Sequence, residues 1–287
     1  MSVRSLLRAW GLRPDKALGQ NFLVDSTALQ RIASAANLTA DDVVLEIGAG
    51  TGALTQHLAR EAGHVVALEM DARLMPVLAS ELSGISNVTL IQGDVLDLNP
   101  GDLIDQASPD TGSSHANYKV VGNLPYYITS AILRHLLERD RRPNLMVFTV
   151  QYEVARRIVA KPGDLSVLAV SVQFYGEPQL LFRISAGSFY PTPDVDSAVV
   201  RIDVHSAPPL PDDEIGTFFQ VVRAGFSQRR KQLHNALSAG LPGQLSKDEV
   251  AERLDQAGVD HRRRAQTLSV EEWIGVTSAL RSVPTHS

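Results

Sequence analysis

Asn123-Leu124-Pro125-Tyr126 places two oxygen acceptors and an aromatic ring within four positions. The Asn123 side-chain carbonyl and the Leu124 main-chain carbonyl can each accept an N–H from one amine, and Pro125 keeps Leu124 extended. Tyr126 offers a face for a flat base, worth about 1–3 kcal/mol if it behaves as other base-stacking aromatics do. The set suits the exocyclic amine of adenine, a poor nucleophile because its lone pair is delocalised into the ring. Two fixed acceptors favour the pyramidal amine, whose lone pair points at an electrophile such as a sulfonium methyl. The leaving thioether is neutral, so no covalent enzyme intermediate is required and alignment supplies most of the help. A structural turn around a buried tyrosine is the plainer reading of the same four residues. The chain has no cysteine, and its eight histidines show no metal-ligand spacing, so neither a thiolate site nor a metal is expected.

An electrophile needs a holder, and Glu46 to Thr55 (EIGAGTGALT) follows an apolar strand and precedes a helical pattern. Gly48, Gly50 and Gly52 there let backbone come close to a ligand. Their spacing differs from the G-x-G-x-x-G of dinucleotide binders, which disfavours a nicotinamide cofactor. Glu69 lies 21 positions after Gly48, at the end of the second strand, where an acid can accept from both ribose hydroxyls of either kind of nucleoside cofactor. Asp94, in Gly93-Asp94-Val95, can accept from a cofactor's adenine amine or cap a helix.

These residues require elements that bring them to one edge. Strand patterns at Val43 to Ile47, Val65 to Glu69, Val88 to Gln92, Tyr118 to Gly122 and Leu145 to Val150 alternate with helical ones. The fold expected is α/β, a mostly parallel sheet with helices on both faces. Val167 to Phe174 and Ala198 to Val204 read as further strands joined by a shorter connection, which makes the end of the sheet antiparallel. The proline-rich His205 to Asp213 is the domain boundary, giving residues 1–206 to the sheet domain and 207–287 to a small all-helical one. Gln106 to Asn117, poor in apolar residues, reads as an exposed loop.

A net charge of −5 argues against a surface that grips nucleic acid everywhere. Basic residues are nevertheless grouped: Arg223, Arg229, Arg230 and Lys231 in a stretch free of acids, Arg262 to Arg264, and Arg4, Arg8, Arg13 and Lys16. They permit phosphate contacts, and a solvated face is the alternative for each. No run of about eighteen apolar residues suggests a membrane span, and a cytoplasmic monomer is expected.

With these motifs in view, the chain resembles the ribosomal RNA adenine dimethyltransferase family over nearly its whole length, and within it the bacterial 16S branch. The likeness lies in LGQNFLVD (Leu18 to Asp25), VLEIGAGTGALT (Val44 to Thr55), GDVLDL (Gly93 to Leu98), GNLPYYITS (Gly122 to Ser130), FYPTPDVDSAVV (Phe189 to Val200) and FSQRRKQLHNAL (Phe226 to Leu237). The resemblance implies a Rossmann-like class I methyltransferase sheet, S-adenosylmethionine as cofactor, and double methylation of two adjacent adenines in a hairpin near the 3′ end of 16S RNA in an immature small subunit. It further implies that Gln20, Asn21 and Leu23 cover the methionine end of the cofactor and that Phe189 faces Tyr126 across a flipped adenine. The family pattern differs in a longer loop near Gly163, a glutamate at Gln266 and a proline at Ala49. A 23S enzyme conferring macrolide resistance, a DNA adenine methyltransferase and a non-catalytic ribosome-assembly factor are the rival readings. In titration calorimetry the protein should bind S-adenosylmethionine at micromolar strength and NAD not at all; the reverse would refute the glycine-spacing argument.

Overall fold

The computed structural model describes residues 2–107, 117–241 and 245–281; the expected loop at Gln106 to Asn117 lies mostly outside them. In chain order the elements are α1 (Val3–Ala9), β1 (Phe22–Leu23), α2 (Ser26–Ala35), β2 (Val43–Ile47), α3 (Ala53–Leu58), β3 (His64–Glu69), α4 (Met75–Glu81), β4 (Val88–Gln92), α5 (Pro100–Ala107) and β5 (Lys119–Asn123). There follow α6 (Thr129–Leu137), β6 (Leu145–Gln151), α7 (Tyr152–Ile158), α8 (Val167–Tyr175), β7 (Gly176–Ile184), β8 (Phe189–Tyr190), β9 (Ser197–Val204), α9 (Asp212–Phe226), α10 (Leu233–Gly240), α11 (Lys247–Gln256) and α12 (Val270–Leu280).

Seven strands form one sheet in the order β4-β3-β2-β5-β6-β9-β7. The pairs from β4 to β6 are parallel and β9 runs antiparallel to β6. Strand order reverses between β2 and β5. Right-handed crossovers then put the helices of the two halves on opposite faces, and ligands bind at the carboxyl ends of the two central strands. Those ends carry the glycine loop and Asn123.

The β-branched runs form strands because both faces are covered, and β2 is buried along its whole length. Val44, Val121, Val147 and Val199 from four strands pack with Ile32 of α2 and Leu58 of α3. Asp25 starts α2 by accepting the N–H groups of Thr27 and Ala28, and its other oxygen accepts the Ser188 hydroxyl at 3.2 Å. Leu7 of α1, Phe22 of β1 and Leu74 make a smaller cluster that holds the N-terminal segment.

The chain separates into two compact units, one comprising residues up to Ala155 together with Glu177–Ser206, the other Arg156–Gly176 together with Ala207 onward. The strand expected at Val167 to Phe174 is the helix α8, and the edge strand is β7. A run that is apolar at nearly every position cannot separate strand from buried helix by periodicity. Here Ser166 caps the first turn, accepting from Ala169, and seven of the nine residues are buried. Phe174 of α8 stacks on Phe218 of α9 with centroids 4.5 Å apart.

The second unit is built by local rules. Ser246 with Glu249, and Ser269 with Glu272, form capping boxes at the starts of α11 and α12. The short loop at Gly163 is tied down: Gly163 and Leu165 both donate to the Gln266 carbonyl, at 2.8 and 3.2 Å.

Gly122 sits where β5 meets β2, and a Cβ there would lie 2.7 Å from the Ile47 carbonyl oxygen. That oxygen is backbone and cannot swing aside. Gly122→Ala is therefore expected to lower stability by about 1–3 kcal/mol in urea unfolding; an unchanged midpoint would contradict this packing.

Candidate active site

A cavity holding about 830 Å³ of space, part of it open to solvent, lies at the switch point of the sheet. That suits a ligand the size of a nucleoside cofactor. Its lining includes Gln20, Asn21, Gly48, Gly50, Glu69, Asp94, Asn123, Leu124, Pro125 and Tyr126, so ten of the expected site residues meet in one place.

The glycine loop is a turn only glycine adopts without strain: Gly48, Gly50 and Gly52 have φ of 75°, 61° and 81°. A Cβ on Gly50 would also meet the Phe22 ring at 3.2 Å. The N–H groups of Gly48 and Ala49 donate to the Leu68 carbonyl and pin the loop to β3.

Glu69 is 7% exposed. Oε2 accepts the Gly50 N–H at 2.7 Å and Oε1 accepts the Asp71 N–H at 2.9 Å. A carboxylate has about four acceptor positions, so these two bonds do not fill it and room is left for hydroxyl donors from the cavity. Burial pushes its carboxyl above the usual range and the nearby Asp71 charge adds to this, while the backbone N–H groups of Asp71, Gly50 and Met70 pull it back. At Asp94, Oδ1 accepts the Leu96 N–H at 2.9 Å, an Asx turn that leaves Oδ2 without a partner among the described residues. No helix begins at Asp94, the next being α5 at Pro100, so the cap reading does not hold and the open oxygen is left for a ligand.

Asn123 ends β5. Its Nδ2 donates to the Asn21 carbonyl at 2.9 Å, which fixes the amide and leaves Oδ1 without a donor among the described residues. Leu124 donates its N–H to the Thr149 carbonyl at 3.1 Å, and its own carbonyl likewise accepts nothing among them. The Pro125 carbonyl, by contrast, is taken by Ile128 and Thr129. Tyr126 is half-buried, its hydroxyl 2.9 Å from the buried Ser197 hydroxyl. The ring is therefore fixed at its far end, and burial raises its phenol above the ordinary value.

Two expected residues stand elsewhere, and a third is in place but already engaged. Leu23 is buried in β1 and pairs with Phe189 of β8. Phe189 is 3% exposed within the cluster of Val121, Val147 and Val199, and does not line the cavity. Packed in this way the ring presents almost no free surface to a base. Gln20 lines the cavity but its amide is engaged at both ends: Oε1 accepts the Asp15 N–H and Nε2 donates to Asp71.

Arg223, Arg229, Arg230 and Lys231 are exposed at the end of α9 and the turn after it, in the second unit. Arg263, from the other basic run, is committed to Glu272 and Thr267, whereas Arg262 and Arg264 are exposed. Asp255, Asp260 and His261 bring ligand-type atoms within 4.8 Å of one another, a grouping the histidine spacing did not reveal. His261 Nδ1 is already bonded to Asp255 at 2.9 Å.

Sequence patterns did not single out Glu46, Asp71 or Tyr127. Tyr127 lines the cavity and is 61% exposed, its ring edge against Gly19. Glu46 is 1% exposed, at the wall of a smaller cavity that shares Phe22, Gly48, Gly50 and Asn123 with the larger one. Its Oε2 has no hydrogen-bond partner among the described residues. Only its place in EIGAGTG could have drawn attention to it.

The family model described as ribosomal RNA adenine dimethylase matches residues 12–277. The ribosomal RNA small subunit methyltransferase A of Pelotomaculum thermopropionicum is 45% identical over 282 residues, 96% of this chain and 95% of that protein. The protein of the same name from Dehalococcoides mccartyi is 43% identical over 271 residues, 94% of this chain and 90% of its own length. Among solved structures, the 23S rRNA methyltransferase ErmE superposes with a TM-score of 0.70 at 29% identity, covering 91% of this chain and all of its own. A dimethyladenosine transferase from Plasmodium falciparum shares the fold at a TM-score of 0.75 and 23% identity, covering 89% of this chain and 95% of its own.

Burial, with the Glu69 charge adding, lifts the Glu46 carboxyl from 4.5 to about 8. The folded chain keeps a proton that the unfolded chain releases. The associated stability is whole below about pH 4.5 and is lost as pH rises towards about 8. Urea unfolding of Glu46→Gln should lack this loss, so the variant gains on the parent between pH 5 and pH 8 by on the order of a few kcal/mol. Parallel pH profiles would show that Glu46 is ionised in the fold.

Proposed function

Because this chain belongs to the ribosomal RNA adenine dimethylase family, we propose that it transfers methyl groups from S-adenosylmethionine to the N6 amines of two adjacent adenines in the 3′-terminal hairpin of 16S ribosomal RNA. The carrying observation is the pair of oxygens, Asn123 Oδ1 and Leu124 O, without partners among the described residues while the Asn123 amide nitrogen and the Leu124 N–H are committed. Small-subunit RNA is favoured because relatives named for it are 43–45% identical, against 29% for the 23S enzyme.

Glu69 and Asp94 fit the cofactor's ribose hydroxyls and adenine amine with acceptor positions still open, and the backbone of Gly48 and Gly50 allows close approach. When bound, the cofactor supplies a methyl on a positively charged sulfur. Asn123 Oδ1 and Leu124 O accept the two N–H groups of the target amine and hold its lone pair outside the ring plane. Tyr126, fixed through Ser197, offers a face to the base. After the first methyl the amine retains one N–H, so it must turn while keeping one acceptor bond for the second. The surplus proton can leave to water once the amine carries positive charge.

Exposed Arg223, Arg229, Arg230 and Lys231 provide phosphate contacts, a local basic face on an acidic protein. No described helix is long and apolar enough to cross a membrane. A cytoplasmic monomer acting on the immature small subunit is part of this reading.

The test is transfer of labelled methyl to immature small subunits, followed by mass analysis of the nucleosides. Dimethyladenosine in small-subunit RNA is expected, and label confined to large-subunit RNA would overturn the assignment. Asn123→Ala should lower transfer by about a hundredfold or more while RNA binding persists. A variant that still methylates would remove the role given to the amide.

A further inference from the structure

We propose that Asp71 is a positioning residue for methyl transfer: through Gln20 it latches residues 15–22 to the end of β3, and so holds the Asn21 carbonyl that orients the Asn123 amide. The inference rests on the acceptor role given to Asn123 above. Asp71 does not line the cavity, yet its carboxylate is nearly enclosed, with a side-chain exposure of 6%.

The connections can be followed atom by atom. Gln20 Nε2 donates to Asp71 Oδ2 at 2.7 Å, across 51 positions of sequence. Gln20 Oε1 accepts the Asp15 N–H at 2.8 Å, and the Gln20 N–H returns to the Asp15 carbonyl at 3.1 Å. Residues 15–20 are thereby closed into a loop that Gln20 ties outward to the Asp71 carboxylate. The next residue, Asn21, gives its carbonyl to Asn123 Nδ2.

On the other side, Arg73 grips the same carboxylate through Nε at 2.8 Å and a terminal nitrogen at 2.7 Å, and that nitrogen also reaches Asp15 at 3.3 Å. The Asp71 N–H donates to Glu69, so one short stretch of backbone joins the ribose acid to the latch. Asp71 is held well below the usual carboxylate range, chiefly by Arg73, so the acceptor stays charged at neutral pH.

The other restraints on this part of the chain are packing contacts, Leu23 in the main core and Gly19 beside Tyr127, and the Arg73 reach to Asp15. β1 contributes two residues, and Phe22 and Leu7 anchor it to Leu74. A carbonyl that must hold an amide to a fraction of an ångström needs a directional tether on its other side. Misplacement of a reacting group by about 1 Å can cost about a hundredfold in rate.

Hydrogen–deuterium exchange on the full chain without ligand, combined with methyl transfer to immature small subunits, tests the proposal. In Asp71→Ala, peptides covering residues 15–23 should exchange about tenfold faster or more, while those covering 43–47 and 119–123 keep their protection. The kcat should fall at least about tenfold with an unchanged KM for the ribosomal substrate. Asp71→Asn, which can still accept from Gln20, should fall between the variant and the parent in both readouts. Unchanged exchange in residues 15–23, or faster exchange with kcat within twofold of the parent, overturns the latch. If Asp71→Ala loses protection in β2 and β5 as well, the same pair of measurements on Asp71→Asn decides. Failure of the Asn123 role would show separately, as transfer retained by Asn123→Ala whatever the exchange result.

Discussion

An oxygen that is to hold a substrate must be denied every partner inside the protein, and must still be unable to move. This constraint governs the end of β5. The Asn123 amide nitrogen is spent on Asn21 so that its oxygen is not, and the Leu124 N–H is spent on Thr149 while its carbonyl is left open. Tyr126 follows the same logic, tied by its hydroxyl while it lines the cavity. Each open acceptor has a committed donor on the same group, so the protein supplies rigidity and the ligand supplies satisfaction. The cofactor side repeats the device at Glu69, whose backbone N–H donors fix the carboxylate without filling it.

Much of this was legible in the sequence because it depends on neighbours along the chain. A strand, a turn and a helix in close succession put the three left-handed glycines, Glu69 and Asn123 at one edge, and six strands fall within a residue of where β-branched runs suggested. What could not be read depends on partners far apart. The Gln20 to Asp71 bond spans 51 positions and no spacing rule foretells it. Phe189 looked like a stacking ring by resemblance, but its burial is decided by four strands that sequence does not place around it. Val167 to Phe174 failed for the opposite reason, since a segment covered on all sides carries no period at all.

Charge was legible only in groups. The net value of −5 concealed a basic turn after α9. The run of three arginines divided, Arg263 being committed to Glu272 and its two neighbours left to solvent. Which member of a basic run holds the fold together and which meets solvent is settled by a capping glutamate nine positions on, and only folding brings the two together.

Helix α8 has an implication for dissecting the molecule. Its sequence interrupts the sheet domain, yet its aromatic residues Phe174 and Tyr175 stack on Phe218 and Phe219 of α9. A chain ended after residue 206 would keep α8 and lose the surface that covers it, exposing a greasy, adhesive stripe. Such a fragment would tend to clump, and its insolubility would say nothing about whether the sheet can fold. A soluble catalytic fragment calls for excising residues 156–176 too, with a short bridge in their place.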